Sequence, residues 1–114
     1  MKIYISGPMT GIPEFNYPAF EAAETLLREM GHEPMSPHRI KEIDPNWNDE
    51  WTWDDYMVAA IAMMVDCEAI CMLKGWSGSQ GARIELKGAR NLKLKLFQLR
   101  DDELMDFTLV QYRE

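Results

Sequence analysis

Gly75-Trp76-Ser77-Gly78-Ser79-Gln80-Gly81-Ala82-Arg83-Ile84-Glu85 is the most informative stretch of the sequence. Here a loop of small residues joins an apolar run to a helical pattern. Small residues let backbone amides and hydroxyl groups approach a ligand closely, and the free N–H groups at a helix start favour an anion such as phosphate. Glu85 lies about one turn inside that helix, where its carboxylate could act on whatever the phosphate carries. With a strand before the loop and a helix after it, the segment would be a binding and catalytic unit.

The bulk composition excludes some classes of partner. The chain has 114 residues, of which 46% are hydrophobic, and we expect residues 1–114 to form a single domain. The formal net charge is −7 at pH 7, and the pI is near 4.8. Binding to nucleic acid needs Lys and Arg to displace counterions, so no nucleic-acid partner is expected. An acidic chain can still hold a small phosphorylated ligand with backbone amides.

Both cysteines, Cys67 and Cys71, lie in one apolar run. Positions four apart on a strand share a face but lie roughly 13 Å apart, which is too far for a disulfide. We therefore expect two buried thiols in a reducing, cytoplasmic protein. No signal peptide or apolar span of roughly 20 residues is visible, so no membrane partner is expected. No group of His, Cys and Asp has metal-ligand spacing, and we predict neither a metal nor a cofactor.

Hydrophobic periodicity predicts alternating strands and helices. In chain order we expect a strand over 2–6, a helix over 17–30 capped by Asn16, a strand over 32–35, a loop over 36–48, a helix over 51–65, a buried strand over 69–73, a helix over 80–90 and a strand over 93–99. Residues 101–105 are expected to make a helical turn, and residues 107–112 an edge strand or a dimer contact. Trp47, Trp51 and Trp53 cluster near the second helix, either as core or dimer packing or as a ligand lid.

This order is typical of an α/β, doubly wound, mostly parallel sheet of four to five strands with right-handed crossovers. Ligands in such sheets bind beyond the carboxyl ends of the strands, near the point where the strand order reverses. The loop after the first strand, residues 7–11, and the loop after the third, residues 74–80, should then be neighbours. Both informative loops are predicted to lie on one rim.

Two motifs carry a resemblance to a known family. Ile3-Tyr4-Ile5-Ser6-Gly7-Pro8-Met9-Thr10-Gly11 resembles the opening of the nucleoside 2-deoxyribosyltransferase superfamily. Leu73-Lys74-Gly75-Trp76-Ser77-Gly78-Ser79-Gln80-Gly81-Ala82, followed by Glu85 and Gly88-Ala89, resembles its second motif. The resemblance covers residues 1–97 and is nearest to small phage and prophage proteins of unassigned function. It also extends to the 2'-deoxynucleoside 5'-monophosphate N-glycosidases. It implies a flavodoxin-like fold and cleavage or transfer at an N-glycosidic bond.

The resemblance also implies roles for single residues. Glu85 matches the nucleophile that attacks the anomeric carbon, and Tyr4 matches a tyrosine that hydrogen-bonds this carboxylate. Ser79 matches the serine that helps bind the 5'-phosphate in the glycosidases, where the transferases carry aspartate. His38 falls near a histidine of the glycosidases. The remaining predicted substrate-binding residues are Gly7, Pro8, Met9, Trp76, Ser77, Gly81 and Ala82. Gly7 and Pro8 would also form a turn, and Trp76 would either stack on a base or pack the loop.

One position departs from the family pattern. The family carries an aspartate on the second helix, eight residues before the acidic residue that opens the third strand, and it assists the leaving base. Glu68 takes the latter position here, and the former is Ala60. Asp54, Asp55 and Asp66 are alternative acids, although the geometry of the second helix does not bring them to the site; Asp55 would lie about 7 Å along the helix axis from residue 60. The neighbouring subunit of an expected homodimer or higher homo-oligomer is another source of an acid.

Three interpretations follow for the function. The first is an enzyme that acts on a small-molecule nucleotide or nucleoside and uses Glu85 as its nucleophile. The second is a non-catalytic protein that senses or sequesters a nucleotide, which Ala60 favours. The third is a structural or interaction protein that has the fold of an enzyme but no longer its activity.

Overall fold

The computed structural model describes residues 1–106 and consists of strands and helices in alternation. The elements are β1 (Lys2–Ser6), α1 (Tyr17–Glu29), β2 (Glu33–Met35), α2 (Ile40–Ile43), α3 (Trp53–Val65), β3 (Ala69–Met72), α4 (Gln80–Asn91), β4 (Lys95–Arg100) and β5 (Glu103–Asp106). Short 3-10 turns cover Pro13–Asn16, Pro37–Arg39 and Trp76–Gly78. Residues 107–112, for which an edge strand or a dimer contact is predicted, lie outside the described residues.

The five strands form one sheet in the order β2-β1-β3-β4-β5. β1, β2, β3 and β4 are parallel, and β5 is antiparallel to β4. This is the predicted flavodoxin-like, mostly parallel α/β architecture. Because β1 pairs directly with β3, with Ile5 opposite Cys71, the loops that follow these two strands lie side by side. The prediction that the two motif loops share a rim is therefore confirmed.

Side chains of the central strands alternate between two buried layers, as the pleat of a strand requires. Ile3 and Ile5 of β1 pack on the face covered by α1, together with Phe20 and Leu27. Tyr4 of β1 packs on the opposite face, which is covered by α3 and α4. Tyr4 thus points toward the helix that carries Glu85.

The ends of the helices follow local sequence signals. Thr52 and Asp55 form a capping box at the start of α3. Gly31 ends α1 with a φ of 86°, a left-handed conformation that glycine adopts without steric cost. Asn16 occupies the N-cap position of α1, but its side chain makes no capping hydrogen bond and its Nδ2 donates to the carbonyl of Pro8 at 3.0 Å. The predicted role of Asn16 as a side-chain cap is wrong.

Two other local predictions are wrong. Residues 36–48 are not one irregular loop, because a 3-10 turn leads into α2, and Ile40 is buried at 1% exposure. Pro37 and Ile40 thus pack into the protein from a stretch that is otherwise mostly polar. Residues 101–105 make no helical turn either. Asp101 and Asp102 have φ values of 50° and 62°, which suit a two-residue hairpin turn, and the chain returns as β5.

Cys67 and Cys71 are free and buried, as predicted. Burial raises the pKa of the Cys67 thiol to about 11 and that of Cys71 to about 12. Within residues 1–106, none of the helices combines the length and hydropathy needed to cross a bilayer. The same part of the chain contains no group of three or more His, Cys, Asp and Glu placed to hold a metal ion.

Candidate functional site

Glu85 lies on the face of α4 that packs against the sheet, and its side chain is 5% exposed. Its helical neighbours on that face, Ala82, Leu86 and Ala89, are all buried. The helix begins at Ser79, whose hydroxyl accepts a hydrogen bond from the N–H of Ala82 at 3.2 Å. The spacing of three residues from Ala82 places Glu85 one turn further along, over the carboxyl end of β1.

Two hydroxyl groups of β1 hold the carboxyl of Glu85. The Tyr4 hydroxyl donates to Oε2 at 2.5 Å, and the Ser6 hydroxyl donates to Oε1 at 2.7 Å. Both donors are fully buried. Tyr4 and Ser6 are two residues apart on one strand, so they point to the same face of the sheet. Each oxygen of the carboxyl is therefore held by its own neutral donor.

This environment sets the protonation of Glu85. Burial raises the pKa of Glu85 to about 7, although the hydrogen bonds from Tyr4 and Ser6 act in the opposite direction. The pKa of Tyr4 is raised well above its ordinary value, chiefly by burial and also by the adjacent carboxylate. Tyr4 consequently stays protonated, and Glu85 changes its charge near neutral pH.

A small pocket of about 60 Å³ opens above Glu85. It continues into a larger groove of about 880 Å³, and both share Thr10, Trp53 and Ser79 in their lining. Lys74 lines the larger groove, where it is the one cation among the lining residues. A ligand that fills both would place one part against the carboxyl of Glu85 and another part beside a lysine and the start of α4.

Two glycines let the walls of this site approach each other. A Cβ atom on Gly7 would lie 2.9 Å from Cβ of Leu73, and the Leu73 N–H donates to the Ser6 carbonyl at 2.8 Å. A Cβ atom on Gly81 would lie 3.2 Å from Sδ of Met57 and 3.7 Å from the Trp53 ring. Gly7 therefore keeps the ends of β1 and β3 together, and Gly81 makes room for α3 beside α4.

The structure brings together most of the residues predicted for the site, but not all of them. Gly7, Met9, Ser79, Gly81 and Ala82 line the small pocket with Glu85, and Pro8 lines the larger groove. Trp76 and Ser77 line another cavity, of about 340 Å³, at the ends of β3 and β4, which shares Lys74 and Gly75 with the larger groove but shares no lining residue with the small pocket over Glu85. Trp76 also packs against the buried layer under α3 and α4. The predicted contact of Trp76 and Ser77 with the same ligand gains no support from this placement.

His38 lies away from the pocket lining. It is buried at 4% exposure, and its ring lies against the rings of Tyr17 and Phe20. Its Nδ1 is hydrogen-bonded to the hydroxyl of Ser36, and its Nε2 lies 3.7 Å from Glu24. Burial lowers the pKa of His38. His38 thus belongs to a buried polar cluster under α1.

The acidic alternatives to residue 60 also lie elsewhere. Ala60 itself is fully buried in the core. The Asp55 carboxylate accepts the Thr52 N–H at 2.9 Å in the capping box. Asp66 pairs with Lys2 at 3.4 Å near the other end of β1. None of these three residues lines the pocket over Glu85.

Some residues of the site were missed from the sequence. Ser6 carried a usable signal, because it follows Tyr4 by two residues on a strand. Trp53, Tyr56 and Met57 line the pocket and follow helical i, i+3, i+4 spacing on α3. The Tyr56 hydroxyl donates to the Pro37 carbonyl at 2.8 Å and lies 3.2 Å from Sδ of Met9. Trp47 and Trp51 pack against the buried layer, so Trp53 is the tryptophan of that group that lines the pocket.

Comparison with known proteins places the chain in a family and a fold. The family model described as "Domain of unknown function (DUF4406)" matches residues 1–98. No curated protein matches the sequence. A 2-deoxyribosyltransferase of the psychrotolerant bacterium Bacillus psychrosaccharolyticus superposes with a TM-score of 0.64 at 16% identity, over 86% of this chain and 71% of that one. A 2-deoxyribosyltransferase of Leishmania mexicana gives 0.61 at 21% identity, over 87% of this chain and 65% of that one.

These two comparisons establish a shared fold, the nucleoside 2-deoxyribosyltransferase-like fold, as the two sequence motifs predicted. The chain spans under two thirds of the length of the Leishmania protein.

Proposed function

The chain belongs to the DUF4406 family, whose function is unknown, and we therefore infer its activity from the site. We propose that the protein acts on the N-glycosidic bond of a 2'-deoxynucleoside monophosphate. It either hydrolyses this bond or transfers the sugar to a second base. The observation that carries this proposal is the carboxyl of Glu85, held through both oxygens by Tyr4 and Ser6 beneath a pocket. The proteins of similar fold are named as deoxyribosyltransferases, which agrees with chemistry at that bond.

Glu85 is the proposed nucleophile. An oxygen of its carboxylate attacks C1' of the sugar, the C1'–N bond breaks, and its electron pair leaves with the base. Water then attacks the same carbon and gives hydrolysis, or a second base attacks it and gives transfer. Tyr4 and Ser6 fix the plane of the carboxyl, so the attacking oxygen needs no reorientation during the reaction.

The start of α4 and the adjoining groove are the proposed binding site for the 5'-phosphate. Ser79 uses its oxygen lone pair to cap the helix, and its own hydroxyl proton stays available for an anion. The helix N-terminus and Lys74 both favour negative charge at this end of the groove. Glu85 is the sixth residue after Ser79, a spacing that is compatible with a phosphate and C1' of one nucleotide.

A second candidate function is binding without catalysis. Ala60 supports it, because a buried alanine supplies no proton to a departing base. Such a donor is worth about 10²–10⁴ in rate. A protein with Glu85 alone would bind a nucleotide and turn it over slowly.

Incubation with each of the four common deoxynucleoside monophosphates, followed by chromatography for free base, tests the proposal. We expect base release by the wild-type protein and loss of release in Glu85→Gln. Glu29→Gln, which removes an exposed carboxylate at the end of α1, is the matched control and should release base at the wild-type rate. Release that persists in Glu85→Gln would contradict the nucleophile.

A thermal-shift measurement with the same nucleotides separates the two candidates. A ligand that binds the folded state raises the melting temperature by mass action. A shift without base release supports the binding protein, and release supports the enzyme. No shift and no release at millimolar nucleotide would contradict both functions and favour a structural or interaction role.

A further inference from the structure

Part of the wall of the small pocket consists of electron-rich side chains. They are the indole of Trp53, the phenol of Tyr56 and the thioethers of Met9 and Met57. A Cβ atom on Gly81 would contact both Met57 and the Trp53 ring, and Gly81 lies about one helical turn before Glu85. Aromatic faces attract cations, and thioether sulfur packs favourably against aromatic rings.

Among residues 1–106, the lining of the small pocket over Glu85 has only negative charge. Glu85 is the one carboxyl among the described residues that line it, and neither lysine nor arginine is present in that lining. The cation of the site, Lys74, lies in the adjoining groove. A ligand that is positive at one end and negative at the other would match this arrangement from pocket to groove.

The hydroxyl proton of Tyr56 already forms a hydrogen bond within the folded protein. Its hydroxyl donates to the Pro37 carbonyl at 2.8 Å, and burial raises its pKa. A neutral base that leaves as an anion needs a proton from such a group. A base that is cationic in the nucleotide needs none, because the electron pair of the C1'–N bond neutralises its ring and it departs as a neutral molecule.

We propose that this pocket recognises nucleotides whose N-linked heteroaromatic base carries a positive charge, of the pyridinium class, stacked on Trp53 with the C1' carbon over Glu85. This rests on the proposed function and names its substrate class. In the reaction, the Glu85 oxygen bonds to C1' as the neutral base leaves. Water then displaces Glu85 from C1', and its proton passes to solvent.

Binding is tested with two ligands of the same shape. One is 3-carbamoylpyridinium 2'-deoxy-2'-fluororibonucleoside 5'-phosphate, whose fluorine slows cleavage. The other is its benzamide C-nucleoside, in which carbon replaces the charged nitrogen. At pH 8 we expect the wild-type protein to bind the pyridinium ligand about tenfold more tightly. Trp53→Leu should reduce this preference to about twofold, whereas Trp53→Phe, which keeps a ring, should retain most of it.

Turnover is tested with the unfluorinated pyridinium deoxynucleotide and the common deoxynucleoside monophosphates. Each rate is divided by the rate of the same compound in buffer, because pyridinium nucleotides also hydrolyse faster alone. We expect an enhancement about a hundredfold larger for the pyridinium substrate. Equal binding of the two ligands, or equal enhancement of all substrates, would overturn the inference and leave the proposed function intact.

The experiments distinguish a failure of the proposed substrate class from a failure of the proposed function. Tighter binding of the pyridinium ligand with no cleavage of any substrate would support the recognition and contradict the proposed function. Absence of both binding and cleavage would overturn both.

Discussion

Glu24 and Glu85 are the same residue type and are almost equally buried, at 3% and 5% exposure, but their partners differ. Glu24 on α1 receives the guanidinium of Arg39 at 2.9 and 3.2 Å and lies 4.0 Å from Arg28. Glu85 on α4 receives two neutral hydroxyls. Within residues 1–106, no cation forms an ion pair with Glu85.

The comparison shows that burial alone does not identify a reactive carboxyl. A buried carboxylate paired with arginine is neutralised as a pair and links two elements of the fold. A buried carboxyl held by hydroxyls stays orientated while its charge remains available to a ligand. The four predictions below test this contrast, in order of decreasing size of effect.

The largest expected effect concerns activity. Glu85→Gln should lower base release by about a thousandfold or more, because the attacking oxygen is replaced by a non-nucleophilic amide. Glu24→Gln, measured at a temperature where it is folded, should stay within a few fold of wild type. Steady-state kinetics with the best substrate found gives both values. Comparable losses in the two variants would mean that Glu85 is as structural as Glu24.

The second effect is the dependence of stability on pH. The pKa of Glu85 is about 7 in the folded protein against an ordinary value of 4.5, so the folded state binds more protons than the unfolded state between these values. The free energy of unfolding should therefore fall by roughly 3 kcal/mol through this site as pH rises from about 4.5 to about 7. Urea denaturation at several pH values, with Glu85→Gln as reference, measures it. Parallel curves for the two proteins would contradict the raised pKa.

The third effect is on stability at fixed pH. Glu24→Gln should lower the free energy of unfolding by about 2 kcal/mol, because Arg39 loses its acidic partner. The side chain of Arg39 is 37% exposed, which keeps the loss below that of a fully buried pair. Glu85→Gln should be neutral or stabilising at pH 8, where wild type carries a buried charge. Urea midpoints compare the two variants directly.

The smallest effect is a displacement of the pH profile. Since the hydrogen bonds from Tyr4 and Ser6 lower the pKa of Glu85, removal of either donor should raise it. The rise of kcat/KM with pH should then have its midpoint near 7 in wild type and at higher pH in Tyr4→Phe and Ser6→Ala. Tyr17→Phe is the control and should leave the midpoint unchanged. A midpoint that moves down in Tyr4→Phe would contradict the role of this hydroxyl.

The sequence predicted the parts of the site that depend on local pattern. The predicted strand order placed the two motif loops on one rim, and the family resemblance paired Tyr4 with Glu85. Ser6 lies on the same face of β1 as Tyr4 but was not recognised as a partner of Glu85. The sequence could not predict that residues of one loop, 74–80, line two different cavities. The 3-10 turn at Trp76–Gly78 directs Trp76 and Ser77 toward β4, whereas Ser79 remains at the small pocket.

Other misses have tertiary causes. The segment that forms α2 is mostly polar, and the burial of Pro37 and Ile40 against the rest of the fold leaves no periodic signal in it. The turn before β5 depends on left-handed conformations of two aspartates, which propensity disfavours and hairpin geometry requires. Arg28 follows Glu24 by four residues on α1, a spacing that predicts contact, but Arg39 comes from a distant position that no spacing rule connects to Glu24. The predictions of a single domain over 1–114 and of a homo-oligomer remain to be tested.

The short strand β2 also has a consequence for association between molecules. The Glu33 N–H donates to the Met1 carbonyl at 2.9 Å, so the nitrogen of the next residue, Pro34, points away from β1, to the side of β2 on which residues 1–106 provide no further strand. Proline offers no N–H there, and the exposed carboxylate of Glu33 repels an acidic copy of the chain. A second molecule is thereby prevented from extending the sheet at β2, which protects this margin against fibrillar aggregation.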